Sequence, residues 1–370
     1  MTCLHARSIR EVPGADWDRL AASHVLVGRG WLGALEQAGI AGLRPHYIMA
    51  SDAAGLGAAA CLETTTPDDA LLSDRFLLGP LADLGRMLGI RWLPALVCGP
   101  YRGQGGFLLG TGRAAALEHL EALAAERRLP LVFTHVPDED VALCELLSNR
   151  DYHRTVARPV ACLDLRWSSF EEYVASLRRN ARSAAWSEIR RCREAEVAIE
   201  PIANVEAVSA TLHALADRHY RRRNGRGVPF GPAFLPAVKH RLGEAATFWG
   251  AYRAGSLLGF ALMVRGGDIA HMTHVGLAEG KTSFAYFNLC YYRPIAEAIA
   301  SGARRIWYGT LLSELKARRG CRLLPTSLYY RDPSRSRHLV LAPLFRAHRA
   351  WKSSRLKAAR IPDVGQARRS

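Results

Sequence analysis

The chain has 370 residues, of which 49% are hydrophobic, and this length predicts two domains rather than one simple core. It contains no apolar run approaching the roughly 20 residues of a transmembrane helix, and its first residues lack the apolar core of a signal peptide. The eight cysteines are scattered singly, without the C-x-x-C spacing of a zinc site. These features predict a reduced, cytoplasmic protein without a membrane span or a metal site.

The charge is divided unevenly along the chain, whose formal net charge is +16. Residues 1–165 contain 15 Lys and Arg against 19 Asp and Glu, whereas the remaining residues contain 35 against 15. This asymmetry favours a surface in the second half that faces a polyanion. Simple solubility is the open alternative.

The first half of the chain alternates between patterns typical of helices and of strands. The expected helices are Ala15–Ala22, Gly30–Ala38, Leu81–Leu88, Arg113–Arg127 and Asp138–Leu147. The expected strands are Pro45–Ala50, Gly57–Glu63, Leu93–Cys98, Leu129–His135 and Val156–Leu165. The pair Pro137-Asp138 is the predicted start of the last of these helices.

The second half repeats this theme and ends in a basic helix and tail that starts near Leu339. The expected helices are Phe170–Leu177, Ala181–Ala195, Val205–Arg222, Pro232–Leu242 and Asn288–Ala300. The expected strands are Ala246–Tyr252, Ser256–Val264, Ile269–Val275 and Arg305–Tyr308. The pattern predicts an α/β protein with domains at 1–166 and 167–338, followed by the tail at 339–370.

The stretch from Phe287 to Tyr330 carries the most specific motif. A helix that contains Cys290, Tyr291 and Tyr292 precedes a strand, and an expected exposed loop with Glu314, Lys316, Arg319 and Gly320 follows before Pro325 and Ser327. This stretch resembles the FemAB-like and BioF-like branch of the GNAT acyltransferase superfamily. Leu315 replaces the histidine of that family's loop, and Asn288 replaces a glutamate before the helix motif.

The basic segment that contains Arg179, Asn180 and Arg182 is similar to a helix of the same family, and the resemblance covers roughly residues 167–351. It implies tandem GNAT-like domains, each a mixed, mostly antiparallel twisted sheet flanked by helices, and an N-acyltransferase that forms an amide bond. The implied donor is aminoacyl-tRNA, with acyl-CoA as the alternative, and no cofactor is tightly bound. The implied acceptor is a small amine, either a peptidoglycan precursor or a secondary metabolite. A non-catalytic module that binds tRNA or another polyanion is a third interpretation.

The resemblance and the chemistry of acyl transfer together suggest the site residues. Glu314 is a candidate to orient an amine or accept its proton, and Lys316 or Arg319 is a candidate to hold an anion or a carbonyl oxygen. His271 and His274 lie three residues apart on one strand, so we expect them to face opposite sides. The predicted catalytic residues are Glu314, Lys316, His274 and Asn288, and the predicted substrate-binding residues are Tyr291, Arg319, Tyr308 and His271.

Two turns before helices are candidate sites for donor phosphates, because a helix N-terminus attracts anions. Gly110 and Gly112 precede the first, and Lys281, Thr282 and Ser283 precede the second. Ordinary flexible turns are the alternative interpretation for both. Arg179 and Arg182 of the basic helix are further candidates for phosphate contacts.

Overall fold

The computed structural model describes residues 3–40, 43–64, 80–87, 90, 92–101, 103–278 and 283–358. The chain divides into two compact units, one formed by residues 1–21, 42–160 and 322–370 and the other by residues 22–41 and 161–321. The predicted boundary after residue 166 lies close to the change of unit after residue 160. The units differ from the predicted domains in the placement of residues 22–41 and 322–338.

The first unit contains an eight-stranded sheet in the order β1-β2-β3-β4-β6-β15-β7, with β5 paired to β3. All neighbours run antiparallel except β4 and β6, which are parallel. Its strands are β1 (Cys3–Ala6), β2 (Leu43–Asp52), β3 (Gly55–Thr64), β4 (Leu96–Cys98), β5 (Leu109–Gly110), β6 (Leu131–Pro137), β7 (His153–Val156) and β15 (Thr326–Arg331).

Helices cover both faces of the first sheet. Successive residues of a strand point to opposite sides, so each strand contributes to two cores. On β6, Phe133 contributes to the core on one face and Val132 to the core on the other. On β15, Tyr329 contributes to the same core as Phe133, and Tyr330 contributes to the same core as Val132. The helices of this unit are α1 (Gly14–Ala21), α3 (Pro80–Met87), α4 (Arg113–Arg127), α5 (Val141–Asn149) and α13 (Arg335–Ala358).

Two predictions near the end of the first half are wrong in detail. The predicted strand Val156–Leu165 is two strands, because β7 ends at Val156 and β8 begins at Val160. Pro159 lies between them, and a proline lacks the N–H that a continuous ladder requires. The helix expected at Asp138 begins at Val141, where the side chain of Asp140 accepts a hydrogen bond from the N–H of Leu143.

The second unit contains a sheet whose strands run in the order β8-β13-β12-β11-β10-β9. Among the strand pairs that the structure describes in this order, only β12 and β13 are parallel, and the helical segment between residues 283 and 300 connects them. The strands are β8 (Val160–Asp164), β9 (Ala198–Pro201), β10 (Ala246–Arg253), β11 (Ser256–Gly266), β12 (Ile269–Leu277) and β13 (Arg305–Gly309). The helices before this connection are α2 (Arg29–Ala38), α6 (Phe170–Ser176), α7 (Arg179–Glu194), α8 (Ser209–Asn224) and α9 (Phe234–Leu242). These two mixed, mostly antiparallel sheets with flanking helices confirm the predicted fold class.

The connecting helical segment is not a plain α-helix. It consists of α10 (Ser283–Phe287), a π-helical segment (Asn288–Tyr292) and α11 (Arg293–Ala300). All five residues of the π-helical segment are buried. Such wider turns occur often at functional sites, because they shift side chains relative to the rest of a helix.

After β13, the charged stretch predicted as an exposed loop forms the short helix α12 (Ser313–Ala317), and the short strand β14 (Arg322–Leu324) follows. Among the described residues, no helix is both long enough and apolar enough to cross a membrane.

Candidate active site

Lys316 is a buried amine at the end of β13. Only 6% of the residue is exposed, although the sequence suggested an exposed loop. Its Nζ donates hydrogen bonds to the carbonyl oxygens of Tyr308 and Gly309 at 2.5 and 3.1 Å. Burial lowers the pKa of Lys316 to about 8, because a charged amine loses its hydration there. This value makes Lys316 a group that can exchange a proton close to neutral pH.

Arg319 forms the centre of a second buried group. Its Nη2 donates to both carboxylate oxygens of Glu188, at 3.1 and 2.8 Å, and its Nη1 donates to the carbonyl oxygen of Leu315 at 3.2 Å. The hydroxyl of Tyr292 also donates to Glu188. Burial alone would lower the pKa of Arg319, but Tyr292 and Glu188 outweigh it and raise that pKa. The guanidinium is therefore a fixed positive charge held by a carboxylate.

Three aromatic rings surround the guanidinium of Arg319. Its central carbon lies 4.1 Å from the ring centre of Phe287, 5.0 Å from that of Tyr291 and 5.8 Å from that of Tyr292. All three rings come from the end of α10 and the π-helical segment. Cation–π attraction and the carboxylate together stabilise a charge that would otherwise be costly to bury. We call Glu188, Phe287, Tyr291, Tyr292 and Arg319 the arginine cluster.

Tyr308 connects this cluster with the Lys316 site. Its ring stacks on that of Tyr291, with ring centres 5.1 Å apart, while its carbonyl oxygen accepts from Lys316. The hydroxyl of Tyr308 is buried and has no hydrogen-bond partner among the residues that the structure describes. Burial raises the pKa of Tyr308 well above its usual value, so this hydroxyl keeps its proton and can act as a donor.

The prediction that His271 and His274 face opposite sides of their strand is wrong. The register of β12 against β11 contains a bulge, in which Thr273 is an additional residue. His271 pairs with Val264 and His274 pairs with Leu262, and these two partners lie two residues apart on one face. The extra residue therefore returns both histidines to the same side, and both are buried.

The two histidines face away from the arginine cluster. The backbone of Ala216 in α8 lies against Gly276, which shares the face of His274. On the opposite face, Leu289 of the π-helical segment lies against Gly259. The sheet thus separates both histidines from the aromatic residues around Arg319. Burial lowers the pKa of His271 to about 3, so this ring is neutral at physiological pH.

Two other predicted catalytic residues lie near the cluster in different settings. Asn288 is buried, and its Nδ2 donates to the backbone carbonyl of Glu188 at 3.3 Å, which joins the π-helical segment to α7. Glu314 lies on α12 with its side chain exposed. The structure therefore brings Lys316, Arg319, Tyr291, Tyr308 and Asn288 together, whereas Glu314 lies at the surface beside them.

Helix α7 presents two different faces. Ala185 and Cys192 are buried on one side, and Glu188 lies between them, where it reaches Arg319. The other side is exposed and strongly basic, and it includes the predicted phosphate contacts Arg179 and Arg182. Sequence analysis missed Glu188. The signal that could have found it is a single carboxylate at helical spacing between small buried residues.

Of the two turns predicted to bind phosphate, the structure fully describes only the one with Gly110 and Gly112. Lys281 and Thr282 lie outside the described residues, and Ser283 is described only as the first residue of α10. Gly110 and Gly112 lie in the first unit, where close backbone contact explains both of them. A Cβ on Gly110 would lie 2.2 Å from the carbonyl oxygen of Leu56, and one on Gly112 would lie 2.2 Å from that of Gly55.

We expect Gly57→Ala to lower the free energy of unfolding by about 3 kcal/mol, because the new methyl group would lie 2.1 Å from the carbonyl oxygen of Gly112. Gly231→Ala is the matched control, since a Cβ there meets no atom within 4 Å. Urea denaturation of both variants measures the difference. Equal stability of the two would show that the glycines are not required for packing.

In the described part of the chain, no three His, Cys, Asp or Glu side chains form a group that could hold a metal ion.

The chain is similar to a known protein family over most of its length. Residues 8–348 match a family described as FemAB-like, peptidoglycan biosynthesis/recognition. A search of curated protein sequences found no match. The crystal structure of FemX superposes with a TM-score of 0.61 at 12% identity, covering 89% of this chain and 97% of that chain.

Two further solved structures have the same fold at low identity. A tandem GNAT protein from the clavulanic acid biosynthesis pathway gives a TM-score of 0.51 at 10% identity, covering 90% of this chain and 99% of that chain. A conserved protein from Bacteroides thetaiotaomicron VPI-5482 gives 0.50 at 14% identity, covering 86% and 98%. These matches confirm the tandem GNAT-like fold.

Proposed function

We propose that this chain, which belongs to the FemAB-like family of peptidoglycan biosynthesis and recognition and is an acyltransferase, transfers an aminoacyl group from aminoacyl-tRNA to a small amine. The acceptor is a peptidoglycan precursor or another compound with an amino-acid-like amine. Membership of an acyltransferase family removes the interpretation as a non-catalytic module. The proposed donor also assigns the reaction to the cytoplasm, where tRNA is charged.

One observation carries the choice of donor. Helix α7 has exposed arginines along its outer side and supplies Glu188 to the arginine cluster on its inner side. A polyanion bound along the outer side would be separated from the Glu188–Arg319 pair by the width of this one helix, about 10 Å. Nucleic acid backbones are recognised in this way by rows of arginine and lysine.

The chemistry requires an amine nucleophile and a path for one proton. The acceptor nitrogen attacks the ester carbonyl carbon, so a C–N bond forms while the C–O bond to the terminal ribose breaks. The proton that the amine loses ends on the ribose oxygen, and the products are an amide and uncharged tRNA. No oxidant, metal or further co-reactant enters this balance.

We assign roles to three side chains on the basis of their contacts. Lys316, with a pKa near 8, relays the proton, because a neutral amine keeps both donated hydrogen bonds and has one lone pair left to accept with. The hydroxyl of Tyr308 stays protonated and donates to the reacting carbonyl oxygen. Arg319, fixed by Glu188, holds a negatively charged part of the substrate.

Transfer of radiolabel from charged tRNA tests the proposal. The purified chain is incubated with bulk tRNA that carries labelled amino acids and with amine acceptors such as a peptidoglycan precursor. Mild base then hydrolyses the remaining ester, whereas a new amide survives. We expect base-stable label in the acceptor. Release of thiol from acyl-CoA with the same acceptors, without transfer from tRNA, would instead make this an acyl-CoA-dependent enzyme.

A further inference from the structure

Trp186 is an exposed tryptophan at the middle of α7, with 44% of its surface accessible. Its ring meets that of Phe170 edge to face, with ring centres 6.2 Å apart and planes at 90°. Phe170 in turn meets Tyr292 of the arginine cluster at 6.1 Å. Trp186 is therefore the outer end of a row of three aromatic rings that begins at the site.

Four arginines lie on the same line along the helix. Positions four and seven residues away from a given residue share its face of an α-helix. Trp186 has an exposed arginine at each of these positions in both directions, namely Arg179, Arg182, Arg190 and Arg193. We call these five residues the Trp186 stripe. It places one flat aromatic surface between cations on a solvent-exposed face.

We infer that Trp186 is a stacking platform for an unpaired nucleobase at the 3′ end of the donor RNA, with the flanking arginines on its phosphates. Binding sites for single-stranded nucleic acid combine these two elements, an aromatic ring for the base and cations for the backbone. Charge complementarity selects RNA over an apolar peptide or lipid chain, because such a chain carries no negative charge for the arginines, of which Arg190 also pairs with Glu194. The inference rests on the proposed function, and it explains why an exposed tryptophan stands beside the site.

The position of Trp186 also fits the chemistry of the donor. Every aminoacyl-tRNA carries its ester on the ribose of the last nucleotide. A base stacked on Trp186 would lie at the outer end of the aromatic row, so the attached ester can extend along Phe170 towards Tyr292 and Arg319. Base stacking would then set the position of the reacting carbonyl as well as the affinity.

Binding of a short fluorescent RNA that ends in CCA, measured by anisotropy at several salt concentrations, tests this inference. The variants are Trp186→Ala and Trp186→Phe, with Trp351→Ala as a matched control, since Trp351 is an exposed tryptophan (41%) in the other unit. A second RNA lacks the base of the last nucleotide. Coenzyme A, which also carries an adenine and phosphates, is the third probe.

We expect Trp186→Ala to weaken binding of the intact RNA about tenfold, to leave the salt dependence unchanged and to have little effect on the RNA without the last base. Trp186→Phe should retain most of the affinity, and Trp351→Ala should bind as the unchanged protein does. If Trp186→Ala weakens binding of both RNAs equally, or of neither, Trp186 is not a stacking platform. RNA binding by the unchanged protein would still support aminoacyl-tRNA as the donor. Failure of the unchanged protein to bind RNA overturns both, and an effect of Trp186→Ala on coenzyme A alone shows that the platform serves a different donor.

Discussion

Replacing Lys316 by methionine is expected to lower turnover at least 100-fold while changing the stability at pH 7 by only about 1 kcal/mol. Two opposing effects account for the small change in stability. The variant leaves the carbonyl oxygens of Tyr308 and Gly309 without their donor, which costs about 1–3 kcal/mol each. It also removes a charged amine whose burial costs about 3 kcal/mol, given its pKa near 8.

The same substitution has a pH dependence with a definite sign. The pKa of Lys316 in the folded chain is about 8, below the usual lysine value of 10.5. Between these values the unfolded chain binds the extra proton, so the stability of the unchanged protein rises with pH in this window. We expect the advantage of the unchanged protein over Lys316→Met to grow by about 2 kcal/mol from pH 7 to 9.5, because only the former contains this group.

Label transfer and urea denaturation at the two pH values measure these effects. Lys239→Met is the matched control, because Nζ of Lys239 also donates to two backbone carbonyls, those of Gly243 and Ala246, at 3.0 Å each. That lysine lies on α9, and we expect its loss to leave turnover unchanged. Full turnover by Lys316→Met would exclude the buried amine from the reaction.

Loss of Arg319 is expected to lower both stability and turnover. Arg319→Met leaves the carboxylate of Glu188 in a mostly buried position without its cation, and breaking such pairs costs about 3 kcal/mol. Glu188→Met leaves the guanidinium among its aromatic rings without its anion and should cost a similar amount. The double variant should cost clearly less than the two single changes together, because neither unpaired charge then remains. Turnover should fall in all three.

Urea denaturation of the four proteins gives the coupling energy between Glu188 and Arg319. Glu194→Gln on the same helix is the control, since its ion pair with Arg190 is more than 60% exposed on both sides and should contribute less than about 1 kcal/mol. Strictly additive costs for the two single variants would contradict a direct pairing of these residues.

The motif between residues 287 and 320 was sufficient to predict which side chains lie together. A helix, a strand and a charged turn that follow each other closely must bring Tyr291, Tyr308 and Lys316 near one another, whatever else the chain does. Their burial was not predictable in the same way. The sequence around Lys316 and Arg319 is typical of a solvated loop. These two side chains are buried because helices from distant parts of the sequence pack around them.

The missing parts depend on long-range contacts. Glu188 precedes Arg319 by more than a hundred residues, and nothing local indicates which arginine it meets. The bulge at Thr273 changes the face of His274, although the sequence around it alternates as an ordinary strand would. A single added residue in a ladder depends on both strands, so one strand's pattern cannot reveal it.

Strand β15 has a consequence for the order in which this protein is made. It lies between β6 and β7 in the first sheet, yet the entire segment 161–321 is synthesised before it. While the ribosome translates that segment, β6 and β7 lack the strand that pairs with both of them. The unit whose synthesis begins first is thus the last to have all its strands. A gene truncated near residue 166 would encode the first sheet without its inner strand β15.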